Sequence, residues 1–131
     1  MIRKEEMKWE EGRGYDKRVL LEDGSQNPLL QQVLFREGES VPPHYHMDQT
    51  EVFVFLGPGS IVIEGERLDM EPMEVVVCEP PEVHQVPEVE KEFSLLVLKR
   101  NYRPGDTFWL EEEKRPGGRE EDPLQGEFRG M

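Results

Sequence analysis

Residues 38–51 read GESVPPHYHMDQTE, and this stretch contains two of the three histidines in the 131-residue chain. His44 and His46 are two positions apart, so a β-strand directs both side chains to one face. Glu51 follows soon after, and the third histidine, His84, ends the stretch EVVVCEPPEVH at residues 74–84. Imidazole nitrogens with a carboxylate oxygen suit Zn, Mn, Fe, Ni or Cu better than Ca or Mg. The pattern predicts that these four residues bind one divalent transition metal; the competing interpretation is three unrelated surface or core histidines.

Two segments of the chain resemble the motifs of the cupin family. Residues 38–51, of the form Gly-x5-His-x-His-x4-Glu, are similar to the first cupin motif, and residues 74–84 are similar to the second. The second segment departs from the family pattern, because Met73-Glu74 stands where Gly-Asp is usual and Pro81 stands where a turn glycine is usual. The resemblance spans residues 30–100 or so, and it implies a small single-domain cupin, which is a double-stranded β-helix or jelly-roll barrel.

Composition limits the classes of protein to which the chain can belong. Sixteen basic against 29 acidic residues give a net charge of −13, which repels phosphate backbones, so we expect no nucleic-acid partner. No apolar run approaches the roughly 20 residues that a membrane helix needs, and we expect no membrane association. The single cysteine, Cys78, excludes an intrachain disulfide and fits the reducing cytoplasm. Because Cys78 ends a valine-rich segment, we expect a buried and inert thiol.

Short apolar segments, separated by Gly and Pro, follow one another without any sustained helical period. The predicted strands are 17–21, 30–35, 51–56, 60–63, 67–70, 74–78, 84–86 and 93–99, with the clearest hairpin at Glu64-Gly65-Glu66. This pattern indicates an all-β sandwich or closed barrel, and the cupin resemblance selects the jelly-roll barrel. We expect an N-terminal edge segment and first strand at 1–29, the cupin barrel at 30–110, and a charged, flexible tail at 111–131.

Strand parity predicts which side chains face the barrel interior. Glu51 has the opposite parity to His44 and His46, so residues 47–50 must form a turn that resets the register. If Glu51 faces inward, the alternate aromatic residues of the same strand do so too. The substrate pocket is therefore predicted to be lined by Phe35, Phe53 and Phe55.

The opposite faces of these strands are apolar as well. Val52, Val54 and Leu56 would face outward, where a monomer leaves them in contact with water. Strands that are apolar on both faces need a second layer. The layer could come from the other sheet, from the N-terminal segment or from a second subunit, and we favour a homodimer.

The predicted function follows from the predicted metal. Three imidazoles and one carboxylate leave one or two coordination positions open, which allows Lewis-acid activation of a substrate oxygen or O₂ chemistry with a redox-active ion. We expect a divalent-metal-dependent enzyme of the dioxygenase or isomerase type, acting on a small, partly apolar or enolic molecule. The alternative is a non-catalytic binding or sensor cupin, whose closed pocket would lack an acid or base beside the metal. Metal-free, epimerase-like cupins rely on a His–Asp pair and do not need this ligand set.

Overall fold

The computed structural model describes residues 1–113, and within them nearly all regular structure is β-strand. The strands are β1 (Glu10–Glu11), β2 (Asp16–Glu22), β3 (Pro28–Phe35), β4 (Val41–Tyr45), β5 (Thr50–Phe55), β6 (Gly59–Ile63), β7 (Glu66–Met70), β8 (Val75–Cys78), β9 (His84–Val86), β10 (Phe93–Arg100) and β11 (Phe108–Trp109). In this part of the chain the helical elements are a 3-10 turn at Lys4–Glu6 and a short helix, α1 (Leu110–Glu113). None of the described helices is long and apolar enough to cross a membrane.

The strands form two antiparallel sheets that enclose one interior. One sheet has the order β1-β2-β3-β10-β5-β8, and the other has the order β11-β4-β9-β6-β7. Strands from the two halves of the chain alternate in each sheet, because β3 pairs with β10 and β4 pairs with β9. This interleaving is the jelly-roll arrangement, so the predicted all-β jelly-roll barrel is confirmed.

One end of the barrel is closed by stacked aromatic rings. Phe93 lies with its ring centroid 5.2 Å from that of Phe35 and 5.7 Å from that of Phe55. A Cβ added to Gly59 would lie 2.7 Å from the Phe93 ring, so only glycine lets β6 approach so closely. Along the inner face of β5, Phe55 at this end is followed by Phe53 and then by Glu51. The polar residues of the interior therefore lie toward the opposite end.

Two turns explain local features of the sequence. Glu64 and Gly65 have φ angles of 51° and 81° and join Ile63 directly to its partner Glu66, which confirms the predicted hairpin. Met73 has a φ of 71°, the left-handed conformation that the glycine usual in this cupin motif adopts at no steric cost. Glu74 Oε1 accepts a hydrogen bond of 2.9 Å from the backbone N–H of Glu71 and so stabilises the same turn.

The tail predicted at 111–131 is described only at its beginning. Residues 111–113 belong to α1, where Glu111 and Glu112 both pair with Arg13. The Tyr45 hydroxyl donates a hydrogen bond of 2.7 Å to the Glu113 carboxylate. Residues 114–131, with the remainder of the predicted tail, lie outside the described residues.

Candidate metal centre

The loop after β4 and the starts of β5 and β9 bring the four predicted ligands together inside the barrel. His44 on β4 lies directly opposite His84 on β9, and the turn between β4 and β5 returns Glu51 to the same interior. The ligand nitrogens of the three histidines lie within 4.8 Å of one another. Glu51 Oε1 lies 3.2 Å from His46 Nε2 and 3.1 Å from His84 Nε2. His44 is half-buried, and the other three residues are buried.

Each of the three imidazoles has its Nδ1 atom directed at a backbone carbonyl. The distances are 2.9 Å from His44 to Pro42, 2.8 Å from His46 to Asp106 and 3.3 Å from His84 to Glu82. A carbonyl oxygen only accepts hydrogen bonds, so Nδ1 carries a proton and Nε2 would bind either a second proton or a metal. Fixing the outer nitrogen of an imidazole in this way is how proteins orient histidines that bind metals.

This donor set fits a divalent transition metal. With Nδ1 protonated, the Nε2 lone pairs of His46 and His84 face the Glu51 carboxylate at about 3 Å, an arrangement that needs a proton or a cation between the groups. Imidazole nitrogens and a carboxylate oxygen are the ligands that such ions prefer. The three histidines are therefore able to bind a metal, and they would hold it with Nε2.

Burial and mutual charges set the ionisation of these groups. Burial lowers the pKa of His44 to about 4, and the neighbouring charges of His84 and His46 act in the same direction. Burial alone would also lower the pKa of His46, but the hydrogen bond and the charge of Glu51 outweigh it, so this pKa is raised. Burial alone would raise the pKa of Glu51, but hydrogen bonds from His46 and His84 hold it well below its usual value. The site thus stabilises a carboxylate among imidazoles, as a metal-binding site requires.

Asp106 holds the turn that carries His46. Its two carboxylate oxygens accept hydrogen bonds of 2.9–3.0 Å from the backbone N–H groups of Met47, Asp48 and Gln49. Its backbone carbonyl accepts a hydrogen bond of 2.8 Å from His46 Nδ1. Asp106 is buried, although it lies some sixty residues after this turn in the sequence. One residue therefore fixes both the backbone of the turn and the orientation of a ligand.

The second carboxylate oxygen of Glu51 is held by two further side chains. Gln49 Nε2 donates a hydrogen bond of 2.8 Å to Glu51 Oε2, and Lys99 Nζ lies 3.9 Å from the same oxygen. Burial lowers the pKa of Lys99, and the charge of Glu51 opposes this effect. Glu51 therefore points Oε1 toward the histidines and Oε2 toward a buried amide and a buried ammonium group.

A cavity of about 120 Å³ adjoins the four residues. Of the three phenylalanines proposed for the substrate pocket, Phe35 and Phe53 line it. Phe55 does not line it, because its ring is stacked against Phe93 at the closed end of the barrel and only 1% of it is exposed. Wider depressions of about 400 Å³ also occur on the described surface, but those depressions contain none of the three histidines. The candidate site is therefore the small interior cavity.

Sequence reasoning missed several residues of this cavity. Trp109 lines it with its ring centroid 4.6 Å from that of His44, and the Arg13 guanidinium lies 4.0 Å above the indole. Trp109 lies here because β11 pairs with β4. Tyr15, Gln31, Lys99 and Thr107 also line the cavity. Strand alternation was a usable signal for Gln31 and Lys99, because each shares its parity with buried apolar neighbours.

Several residues that are close to the proposed ligands in the sequence lie outside the cavity lining. The Tyr45 ring is stacked on Phe108 on the far side of β4 from the site. The Glu82 carboxylate accepts a hydrogen bond from the backbone N–H of Glu79, and Gln85 is outside the lining. Burial raises the pKa of Cys78 to about 12, and the thiol is 3% exposed, in agreement with the expectation of an inert cysteine.

No family model and no curated protein matches this sequence. Solved structures do match the fold. A polyketide cyclase, RemF from Streptomyces resistomycificus, is 21% identical, covers 84% of each chain and gives a TM-score of 0.68. A predicted oxalate decarboxylase from Thermotoga maritima is 16% identical over 78% of this chain and 99% of its own, with a TM-score of 0.67. A cupin domain from Schizosaccharomyces pombe is 10% identical over 76% of this chain and 72% of its own, with a TM-score of 0.62. The chain therefore has the fold of these structures, which include a cupin domain.

Proposed function

We propose that this protein is a divalent-metal-dependent enzyme of the dioxygenase or isomerase type, acting on a small, partly apolar or enolic molecule. The observation that carries the proposal is the convergence of three Nδ1-anchored histidines and the Glu51 carboxylate beside a small cavity. Similar structures include enzymes named as a predicted oxalate decarboxylase, a DMSP lyase and a salicylate 1,2-dioxygenase. These likenesses support an enzyme rather than a passive binding module.

The residues around the site suit such chemistry. A bound divalent metal supplies Lewis acidity and, if it is redox-active, access to O₂. His44, His46, His84 and Glu51 would hold it, and the apolar rings of Phe53 and Trp109 limit the access of water. Among the described residues of the lining, Tyr15 and Lys99 are ionisable groups beyond the four proposed ligands. A sensor module was expected to lack such groups, so their presence favours turnover.

Metal content is the first test. Protein purified without a histidine tag should contain about one equivalent of a divalent transition metal by elemental analysis. Because a metal binds the native site and hardly the unfolded chain, a free concentration of about 100 times Kd should stabilise the fold by roughly 2.7 kcal/mol. His84→Ala should abolish most of this gain. A protein that binds no metal, or whose melting temperature is unchanged by EDTA although metal is present, would contradict the proposal.

The identity of the metal and the use of O₂ separate the two reaction types. Iron, manganese, nickel or copper, together with O₂ consumption on addition of an enolic compound, would indicate a dioxygenase. Zinc without O₂ consumption, but with exchange of a substrate proton for solvent deuterium, would indicate an isomerase. Full metal occupancy with neither activity across a panel of enolic compounds would favour the binding-module alternative.

We also propose a homodimer. The outer face of the six-stranded sheet is apolar around β8, where Val75 and Val77 remain 54% and 45% exposed in the single chain. Their cross-strand partners are Val54 and Val52, which continue the same face on β5. An exposed apolar sheet face of this kind supports association with a second copy. The cytoplasm is proposed as the location, on the basis of the single, buried Cys78.

A further inference from the structure

A buried amide faces the cavity without a protein partner. Gln31 on β3 is 4% exposed, shares the inner face of the strand with Val33, and lines the same cavity as the histidines. Within residues 1–113, its side chain makes no hydrogen bond or ion pair. The next residue, Gln32, faces the other side of the sheet and accepts a hydrogen bond of 2.9 Å from Arg18. A buried amide without a partner destabilises the fold, so its position on a cavity wall points to a ligand as the missing partner.

Lys99 brings a positive charge to the same wall. Gln31 lies opposite Val97 in the pairing of β3 with β10, and Lys99 is two residues beyond Val97 on the same face. Gln31 and Lys99 are therefore diagonal neighbours, a spacing that long side chains bridge. The Lys99 side chain is only 13% exposed, and it lines the cavity together with Gln31.

Once a divalent metal is bound, the net charge of the cavity lining is positive, which favours an anionic ligand. Glu51 contributes one negative charge to the lining and Lys99 one positive charge, so these two cancel. A divalent ion then adds two uncompensated positive charges to a buried space, where isolated charge is costly. The cavity of about 120 Å³ is well below the size of pockets for drug-sized molecules, which begin at roughly 300 Å³. The ligand is therefore small and anionic.

We propose that Gln31 and Lys99 form the recognition end of the cavity and bind the carboxylate of a small organic acid that has a hydroxyl or carbonyl group beside it. The Gln31 amide and the Lys99 ammonium group donate hydrogen bonds to the carboxylate, while the adjacent oxygen faces the metal centre. This inference rests on the proposed metal-dependent function and narrows its substrate class. Within the proposed class of small, partly apolar or enolic molecules, it selects those that carry a carboxylate.

Calorimetry measures the binding of glycolate, lactate and pyruvate to metal-loaded protein. Each acid is compared with its neutral amide. We expect wild-type protein to bind at least one acid at least tenfold more tightly than the matching amide. Gln31→Leu should weaken binding of that acid at least fivefold, and Lys99→Met should reduce the acid-to-amide preference at least tenfold. Both variants should retain wild-type metal content. Gln32→Leu, the same substitution on the opposite face of β3, should leave acid binding unchanged.

Stability provides a second readout. If Gln31 lacks a protein partner, Gln31→Leu should raise the melting temperature of the ligand-free protein while it weakens binding of the acid. A purely structural glutamine would instead lower stability on replacement. Gln31→Glu keeps the shape of the side chain and adds a negative charge, so it should weaken binding of the acid more than Gln31→Leu does.

The outcomes separate this inference from the proposed function. If wild-type protein binds no metal, or if His84→Ala binds metal as wild type does, the proposed function fails. If metal binds, but wild type binds none of the acids or both Gln31→Leu and Lys99→Met bind them as wild type does, only the recognition end is disproved. If Lys99→Met loses metal rather than selectivity, Lys99 acts through Glu51, and its role in recognition is disproved.

Discussion

Single residues in this chain take conformations and charges that the fold or the candidate site requires. The left-handed φ of Met73 allows the turn that precedes β8, and the pairing of His46 with Glu51 fixes an anion among imidazoles. The first of these affects stability alone. The second links stability, proton binding and metal binding, because the same nitrogen binds either a proton or a metal.

Met73→Gly should stabilise the protein. Met73 is 70% exposed, so its side chain contributes little packing, and its φ of 71° is strained for a residue with a Cβ. Glycine removes the strain but loses more entropy on folding, so the net gain should be about 0.5–1 kcal/mol. Chemical denaturation measures this change in the free energy of unfolding. Met73→Ala, which keeps the Cβ, should give almost no gain; an equal gain for both variants would contradict the backbone explanation.

The stability of the metal-free protein should depend on pH through His46 and Glu51. The raised pKa of His46 gives a contribution that is complete below its unfolded value of about 6.5 and is lost as pH rises through the folded value. The lowered pKa of Glu51 gives a contribution that is present above about 4.3 and is lost as pH falls through the folded value. The lowered pKa of His44 adds a destabilisation that grows as pH falls from about 6.5 toward 4, so the melting temperature of metal-free protein should be highest near pH 6.5.

Added metal should reverse the fall in melting temperature that the metal-free protein shows as pH rises above about 6.5. A metal binds neutral imidazole, so the stabilisation that it confers should grow as pH rises through the pKa of His46. Thermal melts between pH 5 and 8, with EDTA and with metal, measure both effects. Glu51→Gln should flatten the metal-free decline. A metal-free melting temperature that does not fall between pH 6 and 8 would show that the charged His46–Glu51 pair does not stabilise the fold.

At the scale of elements, the site depends on a connection between distant loops. The turn from β4 to β5 contributes His46, and the loop before β11 contributes Asp106, which holds this turn by three backbone hydrogen bonds. The strand that follows the loop then places Trp109 against His44. The end of the described chain is thus part of the wall of the cavity.

Asp106→Ala should weaken both folding and metal binding. Three N–H groups lose a charged acceptor, and the buried one at Gln49 has no ready access to water. We expect a loss of about 2–4 kcal/mol in the free energy of unfolding and a 10–100-fold weaker metal affinity. Asp48→Ala, which removes a carboxylate from an exposed ion pair with Arg103, should change stability by less than about 0.5 kcal/mol. Metal affinity unchanged in Asp106→Ala would refute a role in orienting His46.

At the scale of the whole molecule, one sheet has an apolar surface that the described chain does not cover. Val75 and Val77 at the edge, and Leu98 on β10 at 39% exposure, belong to this outer face. The inner faces of the same strands form the barrel core, so these strands are apolar on both sides. Association of two copies through this face would leave the metal centre within each barrel, because the proposed ligands all come from one chain.

Val77→Asp should separate the proposed dimer without unfolding the chain. Val77 is 45% exposed in the single chain, so a charge there remains hydrated in a monomer but would be buried without a partner in the dimer. Sedimentation should give twice the 15.3 kDa chain mass for wild type and the chain mass for the variant. Met47→Asp, at a residue 55% exposed in the β4–β5 turn, should remain dimeric. A monomeric wild type at micromolar concentration would disprove the dimer and leave the metal centre unaffected.

The sequence by itself determined those features that depend on neighbours along the chain. Alternation in a strand puts His44 and His46 on one face, parity requires a turn before Glu51, and two residues with a positive φ close the hairpin at Glu64 and Gly65. The cupin resemblance then indicated the barrel and the place of His84. These inferences succeed because periodicity and turn chemistry are local properties.

Only the tertiary structure decided the features that depend on strand pairing. In the folded chain, Asp106 binds a turn some sixty residues away, and Trp109 packs against His44. Phe55 lies at the closed end of the barrel and not in the cavity wall. Because β3 pairs with β10, Gln31 and Lys99 lie on the same inner wall of the barrel. In the sequence, each of these residues has an ordinary local context. Their roles arise from contacts across sheets, which local periodicity does not encode.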